Sequence, residues 1–195
     1  VRYGGPIHSV HGLCAALAAR GHDVHVFTTS VDGPDDSAVP LARPVDMDGV
    51  QVWYFPSRWL RRLYWSPPMA RTLKKEVGRF DFVHLHSVFL WPTWAAARAA
   101  RRFGVPYVLS PRGMLVANLV RRRSRWLKQA WIRLIECHNI AGAATIHVTS
   151  ETEARELARF ALTVPRVITI PNGISLPGVA PTGPISGDVE ALLGH

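Results

Sequence analysis

Short runs that are apolar nearly throughout alternate with stretches whose apolar residues recur at helical spacing, and this alternation restricts the fold more than any other feature of the chain. Val24-His25-Val26-Phe27, Val50 to Phe55, Phe82-Val83-His84-Leu85-His86, Val105 to Ser110, Ala143 to Thr149 and Val167 to Ile170 are strand-sized and lack a polar alternation. Such runs are expected of strands buried on both faces. Between them lie helical patterns. The first carries Ile7, Val10, Cys14 and Leu17 on one face and stops at Gly21. Further helices are expected from about Pro68 to Arg79, from Trp91 to Phe103 with Gly104 as the stop, from Arg121 to Ile140, and from Ser150 to Phe160. The expected fold is α/β, a Rossmann-like doubly wound parallel sheet with helices on both faces. Residues 31–48, rich in Pro, Asp and Gly, read as a loop, and 176–195 read as a linker behind one domain spanning 1–175.

Composition narrows what such a domain does. Hydrophobic residues are 48% of the 195 and charged residues 19%, which excludes a disordered chain. Cys14 and Cys137 lie far apart within helical patterns and form no metal-type spacing, so they read as free thiols of a reducing compartment. No apolar run reaches the length of a membrane span, and the opening residues carry no signal-peptide pattern. A net charge of +9 and a pI near 10.5 favour anionic partners such as nucleotides, phospholipid surfaces or nucleic acid. No helix-turn-helix, zinc or RNA-binding signature is present, so charge alone would carry a nucleic-acid reading. A doubly wound sheet ordinarily starts with its central strand, whereas Val1-Arg2-Tyr3 leads straight into a glycine loop and a helix. The expectation is a central strand ahead of the sequence given, because a sheet without its middle ladder leaves backbone groups unpaired.

Ligands of parallel sheets sit beyond the carboxyl ends of the strands, and those positions are the ones to search for chemistry. Gly4 and Gly5 open the first helix, where free N–H groups and the helix dipole attract anions, although Gly-Gly-Pro is also ordinary turn chemistry. His84 and His86 share one face of a strand. His86, at the strand end with Ser87 next to it, is the candidate to hydrogen-bond a substrate, and His84 reads as a core histidine. A zinc site would need a third ligand at suitable spacing, and none is visible. Arg112, in the loop Ser110-Pro111-Arg112-Gly113-Met114, suits a diphosphate or a sugar hydroxyl, the alternative being a surface ion pair. Ser150 and Glu153 form a capping box, which leaves Glu151 free to face a cleft. Asn172 and Gly173 follow the last strand. Asp46-Met47-Asp48 precedes a strand and reads as a turn, not as a metal-binding pair.

The 121–140 pattern sets Trp126, Leu127, Ala130, Trp131, Leu134 and Ile135 on one stripe. Arg121, Arg122, Arg123, Arg125, Lys128 and Arg133 are basic, with no acid before Glu136. One reading is a packed helix with a solvated basic face. The other is a patch that meets anionic lipid headgroups, extended by the basic, Trp-rich stretch at 58–79.

Taken in series, Gly4-Gly5-Pro6, Arg20-Gly21-His22-Asp23-Val24, Asp81 to His86, Ser110-Pro111-Arg112-Gly113-Met114-Leu115, Ser150-Glu151-Thr152-Glu153-Ala154 and Ile170-Pro171-Asn172-Gly173-Ile174 resemble the N-terminal domain of family 4 glycosyltransferases of the GT-B fold. The Ser-Pro-Arg-Gly-Met form is similar to bacterial members that build surface and exported polysaccharides. The resemblance implies a hexosyltransferase that moves a sugar with retention from a nucleotide-diphosphate donor to a glycan or lipid-linked acceptor. It implies no cofactor and no metal. Catalytic roles would fall on His86 and Arg112, with substrate contacts at Gly4, Gly5, Ser87, Glu151, Asn172 and Gly173. Many members carry a histidine where this chain has Arg112, which leaves open whether Arg112 serves the sugar, the phosphates or the acceptor. The resemblance also implies a second, C-terminal domain that holds most of the donor, so that the segment given is expected to be inactive alone. A cytoplasmic protein, peripheral on the inner face of the plasma membrane, would fit. The competing readings are a non-catalytic Rossmann-like module that binds an anionic glycan or lipid, and half of a sugar-nucleotide epimerase.

Overall fold

Strand β5 (Val50–Phe55) shows how the sheet is covered on both sides. Val50 and Val52 pack with Cys14, Val10, Ala18, Val24 and Val26 beneath helix α1 (Pro6–Ala18). Trp53 and Phe55, at the alternate positions, join the main core on the opposite face. The computed structural model describes residues 6–115, 125–160 and 162–173. Gly4, Gly5, Arg121, Arg122 and Arg123 lie outside them, as does the 176–195 segment.

The described residues form an α/β fold with two principal sheets. β5 pairs in parallel with β1 (His25–Thr29) and antiparallel with an edge strand β4 (Pro44–Met47). β6 (Val83–His86), β7 (Tyr107–Ser110), β8 (Thr145–Val148) and β9 (Arg166–Thr169) make a four-stranded, all-parallel sheet in sequential order. Among the described residues β1 pairs only with β5, and β6 only with β7. One apolar core nevertheless spans both sheets, with Phe27, Trp53 and Phe55 from the first and Leu85, Leu109, Ile146 and Val148 from the second. The ring of Phe80 touches His25 at 5.1 Å and Phe27 at 6.2 Å, which fastens the segment before β6 to the first sheet.

The loop expected over 31–48 is partly ordered into strands. β2 (Val31–Asp32) and β3 (Asp35–Asp36) form a two-residue hairpin around Gly33 and Pro34, and β4 edges the first sheet. Strands this short carry no period, and β4 is mostly exposed, so its polar residues resemble loop. Of Asp46-Met47-Asp48, expected as a turn, Asp46 and Met47 end β4 and the turn is Asp48-Gly49: Asp46 accepts from the Gly49 amide and from Gln51, and Asp48 is left-handed at φ 55°.

Helices α2 (Pro67–Glu76) and α3 (Trp91–Phe103) cover the main core. Proline lies in the first turn of each, and Gly104 at φ 70° closes α3 by donating to the carbonyls of Ala100 and Arg101. Ala95, Ala96, Ala97, Ala99 and Ala100 are all buried, and their small side chains let α3 lie close against the sheet. Gly142 sits under the same packing constraint: a Cβ there would come 2.9 Å from the Tyr107 hydroxyl.

Two helical faces differ from expectation. Ile7 is exposed, and α1 docks through Val10, Cys14 and Ala18 instead. The expected helix over 121–140 is described from Arg125 as α4 (Arg125–Trp131), a π-helical turn (Ile132–Glu136) and α5 (Cys137–Ala141). The π turn widens the spiral and rotates the residues beyond it, so a stripe drawn at uniform helical period fails. Trp126 and Leu134 are 79% and 73% exposed, whereas Ile132, Glu136, Asn139 and Ile140 are buried. The last described helix, α6 (Glu151–Ala158), is capped by Ser150, whose hydroxyl accepts from the Glu153 amide at 3.2 Å.

Candidate active site

Residues at the ends of the four parallel strands meet in two hydrogen-bonded sets, whose His84 and His86 rings lie 4.1 Å apart between centroids. His86 is the last residue of β6. Its Nδ1 accepts from Arg112 Nε at 3.3 Å and lies 3.2 Å from the Arg112 Nη2. Arg112 stands in the loop after β7 with a left-handed backbone at φ 54°. Its Nη1 donates to the side-chain oxygen of Asn172, beyond β9. At the end of β8, His147 lies 3.4 Å from His84 through Nδ1 and 3.0 Å from the Ile170 carbonyl through Nε2.

These contacts fix the proton positions. A carbonyl only accepts, so His147 carries its proton on Nε2 and accepts at Nδ1 from the Nε2–H of His84. His86 accepts from a guanidinium at Nδ1, so its own proton is on Nε2. All three rings are held neutral. Burial and then the Arg112 charge push His86 down to about 3. Burial, reinforced by His86, His147 and Arg112, holds His84 well below its ordinary value, and burial also lowers His147. With its Nδ1 taken by Arg112, the group His86 offers to a ligand is the Nε2–H, a hydrogen-bond donor. Arg112 is lowered by burial and supported by the nearby carboxylate of Glu153.

Glu153 organises the loops around this network. One of its oxygens accepts from the Gly113 amide at 2.6 Å, and the other accepts from the Thr149 amide at 2.8 Å and hydroxyl at 2.9 Å. The capping box is thus only half formed. Ser150 caps the helix, but the Glu153 carboxylate turns away to join the β7 and β8 loops.

Strand register adds one more group. His86 pairs with Ser110, and Val108 with Thr145, so His84, His86, Ser110, Thr145 and His147 share one face of the sheet. The opposite face carries Leu85, Tyr107, Leu109, Ile146 and Val148 of the main core. The Ser110 hydroxyl is buried and meets no hydrogen-bond partner among the described residues.

Of the residues picked from sequence, His86, Arg112 and Asn172 are brought into direct contact. Ser87 adjoins them, its amide donating to the Ser110 carbonyl at 2.8 Å. Gly173 follows Asn172 on the exposed edge. Glu151 is exposed at the start of α6 and takes no part in the network, because the helix turns Glu153 and not Glu151 toward the strand ends. The side chains of Arg125 and Lys128 lie outside the described residues. The sequence alone does not single out His147, Glu153 or the Ser110 hydroxyl as site groups. His147 shares a face with His86 only once the β7–β8 register is known, and Glu153 carried the signature of a simple cap. Hollows lined by Trp59, Leu60 and Trp65, and by Val31, Gly33, Arg61, Arg62 and Tyr64, share no residue with the network. Chemistry, not concavity, singles out the strand ends. Among the described residues no group of three or more His, Cys, Asp or Glu is disposed to hold a metal ion.

Residues 4–173 match the family described as glycosyl transferase 4-like domain, which is most of the chain. The chain belongs to this family. Its fold, an all-parallel sheet flanked by helices, is that of a Rossmann-like glycosyltransferase half, and its general activity is glycosyl transfer. No curated protein matches the chain. Within the glycosyl transferase 4-like frame, the network lies where parallel sheets bind ligands, across the carboxyl ends of adjoining strands.

Proposed function

We propose that this glycosyltransferase domain moves a hexose from a nucleotide-diphosphate donor to a hydroxyl of a glycan or lipid-linked acceptor, with retention and without a metal. The observation that carries the reading is the placement of Arg112: a partly buried cation held between His86 and Asn172 at the strand ends. Its contacts leave N–H donors over for an anion, and burial strengthens what they offer to a departing diphosphate. The Nε2–H of His86 suits a sugar or acceptor oxygen. With the His86 Nδ1 lone pair engaged by Arg112, the acceptor proton passes to the departing phosphate oxygen as the C1–O bond to phosphate breaks and the bond to the acceptor forms. The test is a panel of sugar nucleotides and acceptors offered to the chain, alone and within the open reading frame that contains it, with the anomer of the product read by NMR. Transfer with retention in metal-free buffer supports the reading. Inversion, a metal requirement, or no transfer from any donor in either form contradicts it.

A second reading concerns where the acceptor is met. Trp59 and Leu60 are 74% and 65% exposed, with Arg58 and Arg62 exposed beside them. Arg61 braces that loop through Asp36 and the carbonyls of Pro34, Asp35 and Ser57. An apolar tip ringed by arginines suits an anionic bilayer surface, as does exposed Trp126. This fits a cytoplasmic protein working peripherally on the inner membrane face. No described helix is long and apolar enough to cross a membrane. Cosedimentation with vesicles of phosphatidylglycerol and phosphatidylcholine, against phosphatidylcholine alone, tests it. Binding that needs the anionic lipid and is lost with Trp59→Ser supports it, and equal recovery with both vesicles contradicts it.

A further inference from the structure

The turn that leaves β6 is held in a conformation its sequence disfavours. Ser87 and Phe89 both have left-handed backbones, at φ 71° and 62°. Neither is glycine, and for a residue as bulky as Phe89 such a conformation is uncommon and costs energy unless the surroundings enforce it. Two groups enforce it. The Thr93 hydroxyl, in the first turn of α3, lies 3.3 Å from the His86 carbonyl and 3.2 Å from the Ser87 carbonyl. The second is Glu136, distant in sequence, whose Oε1 accepts from the Phe89 amide at 2.7 Å.

Glu136 has no other evident task. It is fully buried and forms no salt bridge among the described residues. Its remaining contacts are the Trp131 indole N–H at 2.9 Å and the Asn139 amide at 3.2 Å. Three N–H donors converge on a carboxylate at the end of the π-helical turn, and π turns recur where a helix is bent to a functional purpose. An apolar residue at 136 would fill the same buried space without the desolvation penalty, but it would leave the Phe89 amide without its acceptor.

We propose that Glu136 is a positioning residue, which through the Phe89 amide holds the Ser87–Phe89 turn left-handed and so fixes His86 and Ser87 against the acceptor. This rests on the functional reading above for the word acceptor, and on geometry alone for the turn.

The test uses Glu136→Gln, which keeps an acceptor oxygen for Phe89, Glu136→Leu, which removes it, and Thr93→Val, which removes the other tether. Amide exchange of the 87–90 segment is read beside that of β7, together with KM for acceptor and donor and kcat. Glu136→Leu is expected to speed exchange at 87–90 about tenfold with β7 unchanged, and to raise the acceptor KM about tenfold with the donor KM held. Glu136→Gln restores both to within about threefold, and Thr93→Val resembles Glu136→Leu. Exchange that rises equally throughout the sheet, or Glu136→Gln as impaired as Glu136→Leu, overturns the proposal, as does faster exchange at 87–90 with an unchanged acceptor KM. If the wild-type protein transfers no sugar, the functional reading fails separately, and the exchange data still decide whether Glu136 holds the turn.

Discussion

Arg112 shows how one residue's setting decides its chemistry. Its guanidinium reaches His86 and Asn172 at once, a planar fork that an ammonium cannot reproduce. Arg112→Lys is expected to keep the charge and lose the bridge, lowering kcat/KM for transfer about tenfold or more while the unfolding temperature stays within a few degrees; steady-state kinetics beside calorimetry reads both. The neutral histidines predict a pH dependence of stability. His86 is held at about 3 against an ordinary value of 6.5, and His84 and His147 are lowered in the same direction. Above 6.5 both folded and unfolded forms are neutral and the contribution is complete. As pH falls below 6.5 the unfolded chain takes up protons that the folded one refuses, and stability drops by up to about 1.4 kcal/mol per pH unit for each such histidine. Glu136, raised by burial, acts in the opposite sense above the ordinary carboxylate value of 4.5, where the folded form retains a proton that the unfolded one has lost. The histidines outnumber it, so the unfolding temperature should begin to fall between pH 7 and 6, and a flat profile down to pH 5 would count against the neutral cluster.

Among the elements, β7 does most to join core and site. Tyr107, Val108, Leu109 and Ser110 are all buried, with Leu109 facing the main core and Ser110 facing the histidines. Leu109→Ala is expected to cost about 2–5 kcal/mol in denaturant unfolding. Ser110→Ala removes a buried hydroxyl with no partner among the described residues and should cost almost nothing, or stabilise, while altering substrate affinity. The same strand shows what sequence makes legible. Its apolar run, the glycine before it and the arginine after it are local signals, and they located both the strand and Arg112. The alliance of His147 with His84 and His86 was not legible, since it depends on which strands adjoin and in what register. The π turn is illegible for a related reason: a uniform helical period has no means of announcing one extra residue, so it puts Trp126 and Leu134 on one apolar stripe and gives no sign that Glu136 is buried. The β2–β3 hairpin and β4 were hidden because their stability comes from partners and not from any pattern of their own.

At the scale of the molecule, the sheet has one apolar face and one polar face that gathers His84, His86, Ser110 and His147, and loops from four successive strands close over its end. Glu153 links two of those loops from a third element. Glu153→Gln is expected to lower the unfolding temperature and to loosen Arg112, since one of its accepting oxygens becomes a donor facing N–H groups. The account as a whole claims that this strand-end network is where sugar transfer occurs. The most direct test is kcat/KM for transfer by Arg112→Ala beside the wild-type protein, with folding checked by circular dichroism. A loss of about a hundredfold or more in a folded protein is the predicted result; transfer by folded Arg112→Ala at the wild-type rate would contradict it.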